Sequence, residues 1–155
     1  MRVRDVMRTP VVTVAADATL RETARLMARH TVGCVAVVSD EAVLGMVTDR
    51  DLAVRGLGAG RSATAPVGAV MTEPVRAVRP DDDVDAAYRT MAHAAVRRLP
   101  VLEQGRLVGV VALDDLLMDV SRRLSALLGA VSWSVLPDAP AAGDPPAAGQ
   151  VPHPG

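Results

Sequence analysis

The sequence predicts an α/β (α+β) fold made of two copies of one structural unit. Three observations predict it: a repeat at fixed spacing, short apolar runs typical of strands, and apolar residues at helical spacing between those runs. The stretch "GMVTDRDL" at 45–52 returns as "GVVALDDL" at 109–116, an offset of 64 residues that holds without a gap over 3–52 and 67–116. A gapless match of this length indicates two copies of one unit.

Each copy predicts the order strand, helix, strand, strand, helix. An extended run at 11–14, and at 75–78 in copy two, leads into the first helix. A Thr19–Glu22 capping box marks the start of that helix, and Asp83 takes the equivalent N-cap position in copy two. The buried face is predicted from apolar residues at i, i+4 and i+7, namely Leu20, Ala24 and Met27.

Two short apolar strands follow the helix in each copy. Copy one has them at 34–38 and 44–48, and copy two at 99–102 and 107–112. The polar segments between them are short enough for hairpins. A second helix is predicted to begin near Asp51 and near Asp115. The recurring methionines are interpreted as packing residues: Met7, Met27, Met71 and Met91.

The repeat also predicts the domain organisation. Repeat one with its N-terminal segment takes 1–60, and a linker at 61–66 lies within a connecting stretch at 55–66 that is rich in Gly, Ala and Ser. Repeat two with a C-terminal helix takes 67–128. The tail at 137–155 is rich in Pro, Ala and Gly, and we expect it to be disordered.

Composition excludes several classes of function. The net charge of −1 and the near absence of aromatic residues argue against binding to nucleic acid. The apolar runs are too short to cross a membrane. A single cysteine, Cys34, allows no internal disulfide and fits a reducing compartment, so a cytoplasmic location is expected. His30 and His93 lack ligand spacing, so no metal is expected.

Several longer phrases recur in both copies in the same order. Copy one has "VRDVMRTPVVTV", "GCVAVV" and "GMVTDRD", and copy two has "VGAVMTEPVRAV", "VRRLPV" and "GVVALDD". Together they resemble the cystathionine-β-synthase (CBS) domain, which occurs as a tandem pair called a Bateman module. The resemblance covers Val3 to about Leu124. It implies two copies packed about a pseudo-twofold axis, with two clefts that take adenosine-containing ligands.

The resemblance implies roles for residues of a first cleft. Asp51 would accept hydrogen bonds from the ribose hydroxyls, as a carboxylate at the corner between a strand and a helix can. Groups near the phosphate would be Thr48, Arg50, Arg97 and Arg98. Residues flanking the base would be Met46, Val75 and Arg76.

The second cleft is predicted to be poorer. It keeps Asp115 for the ribose, and its base pocket would be lined by Val11, Val12 and Val110. Ala112 stands where the first cleft has Thr48, and Gly33–Cys34 stands where the first cleft has Arg97–Arg98. The sequence therefore predicts one well-equipped cleft and one weak or empty cleft.

Simpler interpretations stay open for several of these residues. Asp51 and Asp115 could cap helices, since Asp is favoured near the positive end of a helix. The Arg97–Arg98 pair is, by itself, typical of a solvated surface. Cys34 lies in an apolar strand and is interpreted as a small buried hydrophobe.

The predicted function is that of a stand-alone regulatory module. It would bind AMP, ADP or ATP, ahead of NAD or S-adenosylmethionine, and signal to a protein partner in trans, because no effector domain is recognised in the chain. A homodimer through amphipathic helices is expected. No cofactor is required and no catalytic residue is predicted, since neither a nucleophile–base pair nor a usual phosphate loop is recognised. The alternative is a partner-binding scaffold with degenerate clefts.

Overall fold

The computed structural model describes residues 1–40 and 42–135, so the predicted tail at 137–155 lies outside the described residues. The chain divides into a compact unit over Met1–Val120 and a second unit that begins at Ser121. Within the described part, no helix combines the length and the hydropathy needed to span a bilayer.

The observed elements follow the predicted order in copy one, and copy two differs only in lacking the first strand. Those of copy one are β1 (Thr13–Ala15), α1 (Leu20–His30), β2 (Cys34–Ser39), β3 (Ala42–Thr48) and α2 (Asp49–Asp51). Those of copy two are α3 (Val84–Ala94), β4 (Arg98–Glu103), β5 (Arg106–Ala112) and α4 (Leu113–Val135). The bounds of α1 and α3, of β2 and β4, and of β3 and β5 differ by the same 64 residues as the sequence repeat. The α+β fold is confirmed.

The strands form two antiparallel hairpins, β2–β3 and β4–β5, and β1 pairs in parallel with β2. The predicted strand at 75–78 is wrong, apart from its last residue. Val78 N donates to Pro100 O at 3.1 Å, and Val78 O accepts from Leu102 N at 2.9 Å. In copy one, the strand lies at Thr13–Ala15 and not at 11–14. Each of these two extended runs pairs with a neighbouring strand on one side only, so a few residues are enough to make its backbone hydrogen bonds.

The helix starts confirm the predicted caps. Thr19 Oγ1 accepts from Glu22 N at 3.1 Å, and Glu22 Oε2 accepts from Thr19 N at 2.8 Å, which is the reciprocal arrangement of a capping box. Asp83 Oδ1 accepts from Asp85 N at 3.0 Å at the start of α3. These bonds satisfy backbone N–H groups that the helix itself leaves without partners.

The buried face of α1 differs from the prediction at one position. Leu20, Thr23 and Met27 are buried, whereas Ala24 is exposed. The face therefore follows spacing i, i+3 and i+7. A threonine is accommodated there because Thr23 Oγ1 donates to Thr19 O at 2.9 Å, which removes the cost of burying an unbonded hydroxyl. The prediction overlooked this local partner.

The connecting stretch predicted at 55–66 is wrong at its beginning. After α2, the chain continues as a π-helical segment, Leu52–Leu57, so the loop begins at Gly58. Gly56 within this segment is buried, and a Cβ placed there would lie 3.1 Å from Leu20 Cδ1. The absence of a side chain at Gly56 therefore lets this segment pack closely against α1. The glycine was wrongly interpreted as a sign of a loop.

Each repeat contributes its leading segment, the residues with which it begins, to the hydrophobic core of the other repeat. Val3, from the segment before repeat one, is buried in the core of repeat two beside Leu99 and Val101. Val67, from the segment that begins repeat two, is buried in the core of repeat one beside Val35. The predicted boundaries at 1–60 and 67–128 remain a division of the sequence, whereas each core draws residues from both.

Equivalent backbone hydrogen bonds hold both exchanged segments. Val3 N donates to Asp82 O at 2.9 Å, and Val67 N donates to Ala18 O at 2.7 Å. Both donors and acceptors differ by the repeat offset of 64 residues. The two halves of the unit over Met1–Val120 are thus related by the pseudo-twofold symmetry that the resemblance implies.

The repeated glycine of the opening phrase has a packing role. A Cβ at Gly45 would lie 2.7 Å from Met71 Sδ, and a Cβ at Gly109 would lie 2.7 Å from Met7 Sδ. Each glycine therefore lets a leading segment of the chain cross a strand at close range. Met27 and Met91 are buried in the two cores, which confirms the interpretation of the methionines as packing residues.

Candidate functional site

A cleft of about 610 Å³ lies within the unit over Met1–Val120. We call it the first cleft, because it contains all eight residues predicted for that site: Met46, Thr48, Arg50, Asp51, Val75, Arg76, Arg97 and Arg98. Its volume is in the range of roughly 300–1,000 Å³ that is usual for small-molecule sites. The repeat offset and the resemblance thus selected residues from three separate parts of the chain that meet in one place.

The corner between β3 and α2 supplies the acidic group of the first cleft. Thr48 Oγ1 accepts from Asp51 N at 3.1 Å, and Asp51 Oδ2 accepts from Thr48 N and from Thr48 Oγ1, both at 2.9 Å. The capping interpretation of Asp51 is therefore correct, with Thr48 as the N-cap and Asp51 as its reciprocal partner. Because the only hydroxyl proton of Thr48 is used in this bond, Thr48 positions the carboxylate.

Asp51 keeps acceptor capacity for a ligand. Its Oδ1 has no hydrogen bond among the described residues, and it lies 3.7 Å from Arg55 Nη1. An ionised carboxylate offers about four acceptor positions, and Oδ2 uses two of them. The side chain is 19% exposed, which leaves Oδ1 open to a partner that donates two hydroxyl protons.

Four arginines supply positive charge to the first cleft. The guanidinium of Arg97 donates to Asp114 Oδ1 at 2.8 Å, and both side chains are exposed. Within the described part of the chain, the guanidiniums of Arg50, Arg76 and Arg98 have neither a hydrogen bond nor an ion pair. These three forked donors suit the oxygens of an anion such as a phosphate.

Two backbone hydrogen bonds join the leading segment of repeat two to β3. Thr72 N donates to Met46 O at 2.9 Å, and Met46 N donates to Thr72 O at 3.3 Å. This pairing places Val75 and Arg76 in the lining of the first cleft. It explains how two residues that follow Glu73 reach the acidic corner of the first cleft, which belongs to the other repeat.

Cys34 also lines the first cleft, which the sequence interpretation missed. It begins β2 and pairs with Thr48 across the hairpin. The side chain is only partly buried, so its interpretation as a buried hydrophobe is incomplete. Burial is nevertheless the main cause that raises the pKa of the thiol to about 11, so the group stays protonated at neutral pH.

The remaining lining residues were not predicted either. They are Asp49, Thr72, Pro74, Ala94, Ala95, Val96 and Asp114. Two signals pointed to them: the stretch at 94–96 directly precedes Arg97–Arg98, and Asp114 stands at the repeat offset from Arg50. Asp114 matters most, because its carboxylate is the present partner of Arg97.

The acidic group of the second cleft is already engaged. Arg8 Nε donates to Asp115 Oδ2 at 2.8 Å, and Arg8 Nη2 donates to Asp115 Oδ1. The hydrogen bond to Asp115 raises the pKa of the Arg8 guanidinium. Ala112 has no hydroxyl, so the capping box of copy one has no counterpart here. The sequence interpretation did not include Arg8.

The other residues predicted for the second cleft are Val110, Val12 and Val11, and each has its own contacts or burial. Val110 pairs with Arg8 through two backbone hydrogen bonds of 2.8 and 3.1 Å. Val12 packs against the core of repeat one and accepts from Ala36 N at 3.1 Å. Val11 is partly exposed. Their role as a base pocket stays a prediction.

No group of three or more His, Cys, Asp or Glu side chains suited to a metal ion occurs in the described part of the chain. His30 and His93 are exposed at the ends of α1 and α3. The first cleft combines a carboxylate with a free acceptor oxygen and several guanidiniums, groups that suit an anion that also carries hydroxyl donors.

Comparison with known proteins gives consistent matches. The family model for the CBS domain matches twice, at residues 3–57 and 67–122. The CBS domain-containing protein YhcV of Bacillus subtilis is 40% identical over 124 residues, which cover 80% of this chain and 89% of that protein.

Solved structures match over the same part of the chain. A putative signal-transduction protein with CBS domains from Burkholderia ambifaria gives a TM-score of 0.71 at 31% identity, with 77% of this chain and 93% of that chain covered. A CBS domain protein from Pyrobaculum aerophilum complexed with AMP gives a TM-score of 0.69 at 25% identity, with 74% and 89% covered.

Proposed function

Because the chain belongs to the CBS-domain family, we propose that it is a regulatory module that binds an adenine nucleotide in the first cleft. The observation that carries the proposal is that Asp51 and three arginines without ion pairs line one cleft of about 610 Å³. The solved relative complexed with AMP supports the choice of ligand. A carboxylate that can accept from hydroxyls and guanidiniums that can donate to phosphate line the same space, which supports the proposal.

In the proposed complex, Asp51 Oδ1 accepts hydrogen bonds from the ribose hydroxyls. Its Oδ2 stays in the capping box, so binding does not disrupt the start of α2. Hydrogen bonds to a charged group contribute about 1.5–3 kcal/mol, which corresponds to about tenfold to hundredfold in affinity. Met46, Val75 and Arg76 flank the base.

The phosphate lies against the guanidiniums of Arg50 and Arg98, and it competes with Asp114 for Arg97. The surplus of arginines favours AMP, ADP or ATP over S-adenosylmethionine, whose sulfonium is cationic. NAD also ranks below the mononucleotides. Thr48 acts through Asp51, which it holds in place.

The module is proposed to signal and not to catalyse. Cys34 is a poor nucleophile, because burial raises the pKa of its thiol to about 11. Regulation requires that the nucleotide bind one arrangement of the repeats better than another, and a protein partner in trans would detect the difference. A cytoplasmic location completes this proposal, since one cysteine per chain fits a reducing compartment.

We also expect a homodimer. The apolar residues Leu117, Val120, Leu124 and Leu127 follow coiled-coil spacing along α4 and are exposed in the single chain. Sedimentation measurements on the wild type and on Leu124→Glu/Leu127→Glu test this expectation. The wild type should have twice the mass of the chain and the variant the mass of one chain. A monomeric wild type contradicts it.

A second candidate function is a partner-binding scaffold whose clefts take no ligand. The observation in its favour is that both aspartates have partners within the chain, Asp51 in a capping box and Asp115 with Arg8. The two candidates differ in whether Asp51 Oδ1 ever receives a hydrogen bond from a ligand.

Calorimetric titration separates these two candidates. AMP, ADP, ATP, NAD and S-adenosylmethionine are titrated into the wild type, Asp51→Asn and Asp115→Asn. Asparagine keeps one oxygen for the capping box, so the fold should be retained. We expect one mononucleotide to bind the wild type and Asp115→Asn alike, and to bind Asp51→Asn about tenfold to hundredfold more weakly.

The phosphate side has its own matched pair. Arg98→Gln removes a guanidinium that lines the first cleft, whereas Arg89→Gln removes an exposed guanidinium on α3 outside it. Only the first should weaken binding. If a folded wild type binds none of the five compounds, the nucleotide proposal is wrong and the scaffold is favoured.

A further inference from the structure

The carboxylate of Asp115 occupies the position in repeat two that Asp51 occupies in repeat one, and Arg8 already holds both of its oxygens. We propose that Arg8 is an internal competitor that closes the second cleft, so that each chain binds one nucleotide. The proposal rests on the function proposed for the first cleft, because it assumes that the equivalent carboxylate is a ligand contact.

The comparison between the two clefts identifies the residue responsible. Position 8 corresponds to position 72 at the repeat offset, and both residues are held by the same kind of backbone pairing, Arg8 with Val110 and Thr72 with Met46. Thr72 Oγ1 accepts from Arg55 Nη1 at 3.3 Å, and the same nitrogen lies 3.7 Å from Asp51 Oδ1, beyond hydrogen-bond distance, so Oδ1 keeps its acceptor positions. The backbone is equivalent, so the side chain decides whether the carboxylate is occupied.

The competition favours Arg8 for two reasons. The pair is bidentate and charge-assisted, and the carboxylate of Asp115 is 18% exposed, although the side chain of Arg8 is 73% exposed. Arg8 is also tethered by its own backbone next to Asp115, which keeps its local concentration high. A nucleotide would have to replace both hydrogen bonds with those of two neutral hydroxyls, and we expect this to weaken binding at least about tenfold.

The role of Arg8 also accounts for the missing hydroxyl at Ala112 in copy two. In copy one, Thr48 Oγ1 donates to Asp51 and fixes the carboxylate in the capping box. In copy two, Arg8 donates to both oxygens of Asp115 from outside the helix. The carboxylate therefore has partners even though Ala112 has no hydroxyl. Arg8 and Ala112 are therefore two coupled differences at the carboxylate, and they are separate from the third difference, Gly33–Cys34 in place of Arg97–Arg98.

The test gives the second cleft the two threonines that the first cleft has beside its carboxylate. In Arg8→Thr/Ala112→Thr, positions 8 and 112 carry the residues of their counterparts Thr72 and Thr48. AMP is titrated into the full chain labelled with ¹⁵N. The amide signals of 45–51 report on the first cleft and those of 109–115 on the second, with Leu113 and Asp114 left out because Leu113 N donates to Arg97 O and Asp114 lines the first cleft. Arg4→Thr is the control, because it removes another arginine of the same segment, one that pairs with Asp81 at 2.5 Å.

In the wild type and in Arg4→Thr, we expect AMP to shift only the signals of 45–51. In the double variant, both sets should shift, with a dissociation constant at 109–115 at least about tenfold lower than in the wild type. Adding Asp115→Asn to the double variant should abolish the second set alone. Well-dispersed spectra of the free variants verify that they are folded.

The outcomes separate the two proposals. If 109–115 respond equally in the wild type and the double variant, or do not respond in a folded double variant, Arg8 is not the competitor. If 45–51 never respond while 109–115 respond only after the substitutions, the proposal for Arg8 stands and the proposal for the first cleft fails. If neither set responds in any variant, both proposals fail.

Discussion

Thr48→Ala is the change that most directly tests the structure of the first cleft. The substitution gives copy one the residue that copy two carries at Ala112. It removes two hydrogen bonds of the capping box, the one that Asp51 N donates to Oγ1 at 3.1 Å and the one that Oγ1 donates to Asp51 Oδ2 at 2.9 Å. The third bond, from the backbone N of residue 48, is retained.

The expected loss of stability follows from these contacts. Replacing an N-cap threonine by alanine costs about 0.5–2 kcal/mol, and a net hydrogen bond contributes about 0.5–1.5 kcal/mol. Because one of the three bonds survives and Asp51 is partly exposed, we expect a loss of about 1 kcal/mol. Urea unfolding followed by circular dichroism measures it as a lower midpoint with an unchanged slope.

A double-mutant cycle with Asp51→Asn assigns that loss to the capping box. The two changes should be coupled by about 0.5 kcal/mol or more, because the residues share the bonds that are removed. Ala112→Thr is the matched control. It should stabilise the chain by less than Thr48→Ala destabilises it, since Arg8 already holds Asp115. An unchanged midpoint in Thr48→Ala, or additive effects in the cycle, would refute this account of the corner.

Two further predictions concern close packing and burial. Gly45→Ala should destabilise the chain by about 1–3 kcal/mol in urea unfolding, because the new Cβ would lie 2.7 Å from Met71 Sδ and 3.0 Å from Met71 Cβ. Gly129→Ala in α4, with no neighbouring atom within 4 Å, should instead stabilise it by about 0.5–1 kcal/mol, and effects of one sign would contradict the packing argument. Iodoacetamide at pH 8 should alkylate Cys34 about a hundredfold more slowly in the native chain than in urea, because burial raises the pKa of the thiol from 9.0 to about 11. Bound AMP should slow the reaction further, and equal native and denatured rates would show that the thiol is not shielded.

Much of the fold could be predicted because a repeated sequence repeats its local interactions. The Thr19–Glu22 box and the Asp83 cap depend on neighbours three or fewer residues apart, so their patterns are visible in the sequence. The hairpins were equally visible as paired apolar runs. One error arose where a contact from elsewhere decided the outcome, at Gly56, which packs against Leu20. Another arose at Thr23, because the apolar pattern takes no account of a hydroxyl that bonds to the backbone one turn earlier.

The first cleft could be predicted residue by residue only because of the family resemblance. Periodicity alone does not show that Arg76 and Arg98 face Asp51. Arg8 was missed because its partner lies 107 residues away in the sequence, and no local pattern records such a pair. The repeat did contain a signal, since the arginine at position 8 corresponds to a threonine at position 72 of the other copy. Comparing charge at every offset position, and not only within the matching phrases, would have identified it.

The exchange of leading segments has a consequence for how such a chain can arise and how it can be divided. Val3 closes one core and Val67 closes the other, so a chain that held one repeat with its own leading segment would leave its core open. Two such half-length chains could satisfy both cores only by trading segments with each other. Gene duplication would then have joined into one polypeptide what had been an obligate pair. Cutting the chain between its repeats should therefore not release two independent domains, but two fragments that need to reassociate in order to fold.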